Sequence, residues 1–168
     1  MAEPAVILGM TGFQWALMGG GAAAIGGGIG SAIGITYAAQ VASGILTEDP
    51  GKFGGMLPIV AIPGTQGIYG FITAVLVLIF FNLLGGQGAA LTARQGVQIF
   101  EACLPVAFLC LVSAIYQGLT SSAASGMVAR RTEEAGKALI LPALVETYAV
   151  LSLIVTILML LSIQAGIK

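Results

Sequence analysis

The stretch Leu141-Pro-Ala-Leu-Val-Glu146-Thr-Tyr-Ala-Val150 decides how the chain is read. It lies within Ala138 to Lys168, a segment apolar enough to cross a bilayer, and Glu146 is its one charge before the terminal lysine. A carboxylate at mid-bilayer costs at least about 3 kcal/mol on insertion scales. The group must therefore be protonated, paired or bound to a cation. No Lys, Arg or His stands inside the neighbouring apolar stretches, so no intramolecular salt bridge is on offer. What remains is a bound proton or cation, which makes Glu146 a transport-site residue by default.

Composition agrees. Of 168 residues 58% are hydrophobic and 8% charged, where an ordinary soluble domain has about a quarter charged. Mean hydropathy is +1.03. A net charge of −1 without a basic cluster argues against nucleic-acid binding. There is no His, and Cys103 and Cys110 lie seven apart on one helix, too far to bridge. They read as buried thiols, with neither a disulfide nor a zinc site. The start, Met-Ala-Glu-Pro, has no basic n-region, so no cleaved signal peptide is expected.

Three more apolar stretches precede the one that holds Glu146. The first runs from about 13 to 46 without a charge and is crowded with glycine. A span needs about 20 residues, so this helix protrudes or tilts. Gly26, Gly30 and Gly34 recur at every fourth position, the small-residue stripe that lets helix backbones approach closely in lipid. Gly28-Ile-Gly30-Ser-Ala-Ile-Gly34 only superficially resembles a dinucleotide loop, since no strand precedes it and no acidic ribose partner follows. After the polar break Thr47 to Lys52, a second span covers about 53 to 84. Its middle holds Pro63, which removes a backbone donor, then Thr65, Gln66 and Tyr69 within one helical turn. Asn82 to Arg94 reads as a turn. A third span covers about 97 to 129, with Glu101 near the interface, Gln117 near the middle, and a second stripe of Gly118, Ser122 and Gly126. A polar loop, Arg130 to Lys137, leads to the fourth span, about 138 to 163. Lys52, Arg130, Arg131 and Lys137 fall in the loops joining spans one to two and three to four, while Arg94 and Lys168 fall on the other side. The positive-inside rule then puts those two loops in the cytoplasm and both termini outside.

The chain also repeats itself. Ser31-Ala-Ile and Ala42-Ser-Gly recur 82 residues later, at Ser113 and Ala124, and Pro63 and Tyr69 recur 79 residues later as Pro142 and Tyr148. The fold expected is thus all-α and integral to the membrane: two tandem helical hairpins of the same orientation, residues 1–88 and 89–168. The polar groups of the two copies are complementary rather than duplicated. Gly67 stands where the second copy has Glu146, and Ile35 where it has Gln117. Thr65 and Gln66 stand where it has Leu144 and Val145. A single site shared by both hairpins explains this better than two degraded ones. Depth allows it: at about 1.5 Å per residue, Gln66, Gln117 and Glu146 lie roughly 21, 20 and 14 Å from the basic residues of their loops.

On Pro63-Gly-Thr-Gln-Gly-Ile-Tyr-Gly70, Tyr116-Gln-Gly118 and Val145-Glu-Thr-Tyr148, the chain resembles the rotor-ring (proteolipid, K or c) subunits of bacterial and archaeal V/A-type ATPases, in their duplicated form with one carboxylate per two hairpins. The resemblance covers nearly the whole chain. It implies a homo-oligomeric ring lined inside by the first and third helices, with the second and fourth as the outer wall. It implies a Na+ site made by the main-chain carbonyl of Ile62 and the side chains of Thr65, Gln66, Gln117 and Glu146, with Tyr69 holding the carboxylate closed. It implies a stator subunit whose arginine displaces the ion from Glu146, and central-stalk subunits at the cytoplasmic loops. The chain would then translocate ions by ring rotation coupled to ATP hydrolysis or synthesis, itself catalysing nothing and needing no organic cofactor. The same rotor carrying H+ is the nearest alternative; it needs only the carboxylate, whereas Thr65, Gln66 and Gln117 favour a hard cation that wants oxygen. More remote are a stand-alone secondary transporter or channel, which also uses repeats and a midplane site, and a membrane scaffold in which Glu146 is incidental.

Overall fold

A computed structural model describes residues 6–85 and 91–167. The expected hairpin boundary at 88/89, the Gly86-Gln-Gly88 part of the connecting turn, and Lys168 lie outside the described residues. Helix α1 covers Gly12–Glu48, α2 Phe53–Ala61, α3 Thr65–Phe80, α4 Ala93–Arg130 and α5 Ala135–Ile167. Helices α2 and α3 together form the second arm, joined by a 3-10 turn over Ile62–Gly64. The two arms of α1 and α2–α3, and those of α4 and α5, make two hairpins. All four arms are long and apolar enough to span a membrane.

The ends of the helices follow local chemistry. Thr11 and Thr92 cap α1 and α4 in matching capping boxes, closed by Gln14 and Gln95. Asp49 and Arg131 end the same two helices with nearly the same backbone angles, φ −141° and −144°. The second arm stops at Phe80, short of the expected 84. Asn82 takes a left-handed φ of 51° there, and the Leu83 amide donates back to the Leu78 carbonyl at 2.9 Å. That is a helix stop of the Schellman type, which asparagine tolerates. The other helices run slightly beyond the expected limits at each end, as capped helices extending past the hydrocarbon do.

The helices form two layers. Helices α1 and α4 run parallel and in register. A Cβ built on Gly30 would stand 2.7 Å from the Leu111 carbonyl oxygen, and one on Gly19 would stand 2.8 Å from Phe100 Cα. Gly12, Gly26 and Gly34 meet the backbone of α4 just as closely, at Thr92, Ala107 and Ala114, and Gly118 meets Gly34. The small residues thus replace side-chain packing by backbone contact. Of the second predicted stripe, Gly118 behaves this way. The Ser122 hydroxyl donates to the Gly118 carbonyl, and Gly126 is exposed with nothing within 4 Å of a Cβ built there. Within one chain that stripe therefore ends at Ser122, and the buried face continues through Ser121, Ala124, Ser125 and Val128.

Helices α3 and α5 form the second layer, packed against α1 and α4 around Val77, Ile99, Val106 and Leu160. Each membrane end carries a polar tie between hairpins. The Lys52 ammonium donates to the Ala129 carbonyl at 2.7 Å, capping the end of α4. The Gln164 amide donates to the Phe80 carbonyl at 3.0 Å, capping the end of α3. Cys103 and Cys110 are both free and buried.

Candidate ion-binding site

Four helices converge at the 3-10 turn of the second arm. Pro63 cannot donate to the carbonyl one turn behind it, and the chain passes through Ile62–Gly64 in tighter 3-10 geometry before α3 begins. This turn lets the Ile62 carbonyl accept the Thr65 hydroxyl at 3.0 Å. The same hydroxyl lies 3.3 Å from Gln66 Oε1. Three oxygens, from Ile62, Thr65 and Gln66, are therefore gathered on one turn.

Behind them lies a closed amide network. Gln66 and Gln117 are fully buried. Gln117 Nε2 donates to the Pro142 carbonyl at 2.9 Å, which orients its Oε1 toward α3. Gln66 Nε2 donates to that Oε1 at 2.7 Å, with Ser113 Oγ a further acceptor at 3.4 Å. Ser113 in turn donates to the Val145 carbonyl at 3.0 Å. Because its nitrogen is committed to α4, Gln66 presents its oxygen to the Thr65 side. Ser31 of α1 joins from the other flank and accepts the Gly67 amide at 2.7 Å. Buried amides so satisfied are stiff, since losing any partner would strand another.

Glu146 stands at the edge of this network on α5, half-buried. The Tyr69 hydroxyl donates to its Oε1 at 2.7 Å, reaching across from α3 to α5. Ile62, Thr65, Gln66 and Gln117 thus form one connected cluster spread over both hairpins, and Tyr69, one turn further along α3, ties Glu146 beside it. Sequence reasoning missed Ser113, Ser31 and the carbonyls of Pro142 and Val145. Both serines were visible, but as markers of the Ser-Ala-Ile repeat and not as partners. Among the described residues no group of three or more His, Cys, Asp or Glu gathers. The cluster consists of one carboxylate amid neutral oxygens and amides, a set suited to a hard cation rather than a soft transition metal.

A parallel pair of helical hairpins sharing one intramembrane carboxylate defines a duplicated membrane proteolipid. The chain belongs to the family of the ATP synthase C subunit, whose sequence profile matches it twice, over residues 18–77 and 100–159. The two matches are offset by the spacing of the internal repeat. The V-type sodium ATPase subunit K of Enterococcus hirae is 39% identical over 151 residues, covering 90% of this chain and 93% of that protein. The A-type ATP synthase subunit K of Methanocaldococcus jannaschii is 38% identical over 166 residues, covering 99% of this chain and 67% of that protein.

Proposed function

We propose that the chain is an ion-carrying rotor subunit of a V/A-type ATPase and that it carries Na+, one ion per copy, at Glu146. Copies stand in a ring in the bacterial or archaeal cell membrane. The loops at Glu48–Phe53 and Arg130–Ala135 face the cytoplasm and the central stalk, and both termini face outward. The chain breaks no covalent bond. It is the moving carrier, and the ATP chemistry belongs to other subunits.

The observation that supports Na+ is the group of three oxygens on the Pro63 turn. Ile62 O, Thr65 Oγ1 and Gln66 Oε1 are linked by contacts of 3.0 and 3.3 Å, and the one hydrogen among them, on Thr65, serves one contact at a time. Oxygens held together without enough protons suit a cation. A proton carrier would need Glu146 and one acceptor only. A relative named as a sodium ATPase subunit, sharing 39% of the residues, supports the same reading. Bound Na+ neutralises Glu146, so the loaded site can turn past lipid. An arginine on a stator subunit then displaces the ion. Moving one charge through the membrane field is worth about 2.3 kcal/mol per 100 mV.

The test is carbodiimide labelling of Glu146 in the assembled ATPase at neutral pH. Millimolar Na+ should slow the labelling, and Li+ should do so less effectively. Labelling that responds to pH and ignores Na+ would assign the rotor to H+. A chain that purifies as a small oligomer without an ATPase would remove the rotor reading altogether.

A further inference from the structure

Among the described residues two buried hydroxyls have no hydrogen-bond partner in the protein, Ser121 on α4 and Thr156 on α5. Ser121 is fully buried and stands one helical turn from Gln117, toward Arg130. Its neighbours on the same helix face are all engaged. Ser113 donates to the Val145 carbonyl, Gln117 to the Pro142 carbonyl and Ser125 to the Ser121 carbonyl. A hydroxyl left alone in an apolar interior is costly, and native structures rarely keep one.

Two main-chain carbonyls share its level. Pro63 has no amide to return to the Ile59 carbonyl, and Pro142 has none for the Ala138 carbonyl. Both members of each pair are buried, so each carbonyl lies on the inward side of its helix. A helical carbonyl points toward the C-terminus of its own helix, so both oxygens point from the loop end toward the ion site. On α5 the level follows from Ser113 reaching Val145 and Gln117 reaching Pro142, which sets Ser121, one turn on, beside Ala138. On the second arm, Gln66 meets Gln117 and Lys52 meets the Ala129 carbonyl. Ser121 then falls opposite Ala61 and Ile62, where the Ile59 oxygen points. The Ser121 Cβ tilts toward the N-terminus of α4. Its hydroxyl and the two oxygens therefore converge on one point at the centre of the bundle.

We propose that a water molecule is bound at this point, accepting the hydrogen of the Ser121 hydroxyl and donating its own two to the Ile59 and Ala138 carbonyls, and that Ser121 is through it a positioning residue for the ion site. Three polar partners match what a buried water takes. The serine alone has one hydrogen for two carbonyls, and the water supplies the second. A cation fits these groups poorly, because three neutral oxygens with no carboxylate among them leave its charge unpaired. On the loop side Ile59 and Ala138 pack with Ala42, Met56, Ala124 and Val128 into an apolar layer that encloses the water. The bridge joins the turn that gathers the Ile62, Thr65 and Gln66 oxygens to the part of α5 whose Pro142 carbonyl holds Gln117. The positioning role rests on the Na+ reading above; the water itself does not.

A density map of the wild-type chain in the intact ATPase, at a resolution that shows ordered solvent, tests the water directly. It should hold a peak within hydrogen-bonding distance of Ser121 Oγ and of both carbonyls, and a map without that peak overturns the proposal. Ser121→Ala tests it by sign. With the bridge in place, loss of the hydroxyl should lower the temperature at which the detergent-solubilised assembly falls to single chains. If the hydroxyl is dry, a methyl group in its place relieves an orphan, and the temperature should hold or rise; that result also overturns the bridge. The positioning role is read from carbodiimide labelling of Glu146. Ser121→Ala should need a few-fold more Na+ for the same protection, while the pH dependence of labelling without Na+ stays as in the wild type. An unchanged Na+ requirement with the peak present removes the positioning role. If wild-type labelling ignores Na+, the sodium reading fails, and the map and the dissociation temperature still decide the water.

Discussion

The two hairpins carry the same proline, and it does different things in each. Pro63 sits in a 3-10 turn that divides the second arm into α2 and α3. Pro142, its counterpart 79 residues on, lies inside the continuous α5. Gly64 follows the first and Ala143 the second. Glycine's low helix propensity lets the first arm leave α geometry, and alanine, the best helix former, holds the second in it. The outcomes divide the labour of the site. The broken arm gathers neutral oxygens at Ile62, Thr65 and Gln66. The unbroken arm supplies one carboxylate at Glu146 and one carbonyl, at Pro142, that fixes Gln117.

The largest expected effect comes from erasing the difference in charge. Glu146→Gln should bring ion transport below detection and abolish carbodiimide labelling, while rings of normal mass still assemble. Moving the acid to the other copy should not restore transport. In Gly67→Glu/Glu146→Gln a Cβ at position 67 would lie 3.2 Å from Ser31 Oγ and 3.3 Å from Ser31 Cβ. It would crowd the serine that accepts the Gly67 amide. Restored transport would show that the copies are interchangeable, against the divided site.

Next comes making α1 resemble α4. Gly30→Val copies Val112 into a position where Leu111 backbone is 2.7 Å from any Cβ. Overpacking of this kind costs about 1–3 kcal/mol or more, and thermal dissociation of rings in detergent should report it. The reverse change, Val112→Gly, should disturb the fold of the single chain far less.

A smaller effect follows from giving the second copy the first copy's residue at Gln117. Gln117→Ile takes away the 2.7 Å acceptor of the buried Gln66 amide and leaves it only Ser113 Oγ at 3.4 Å, at about 1–3 kcal/mol. About tenfold weaker Na+ protection of Glu146 corresponds to roughly 1.4 kcal/mol, and labelling titrations would measure it. Unchanged protection would place Gln117 outside the site. Smallest is Tyr69→Phe, which removes one hydrogen bond to Glu146, worth about 1 kcal/mol. Labelling should quicken a few-fold, and maximal transport should persist.

Much of the fold was legible because membrane helices announce themselves by unbroken apolar runs, and the repeat by Ser-Ala-Ile and the shared prolines. The meeting of Gln66 with Gln117 was legible too, since a fixed rise per residue sets both at matching distances from their loops. What the residues did not show is how the hairpins lean on one another. Lys52 capping Ala129 and Gln164 capping Phe80 join positions 77 and 84 apart, and no local pattern encodes such pairs. Ser113 was hidden differently. A serine in an apolar helix usually donates to its own backbone, and only the position of α5 turns it toward Val145. The stop at Phe80 escaped because Leu83 and Leu84 continue the apolar run, while one left-handed asparagine outweighs them.

The glycine contact between α1 and α4 also has a mechanical meaning. Side chains between two helices act as springs, because they can change rotamer under load. Backbone pressed on backbone has no such slack. The α1–α4 pair is therefore a stiff strut within each copy. Torsion applied to such a unit would be taken up where side chains intervene, between α4 and α5, rather than between α1 and α4.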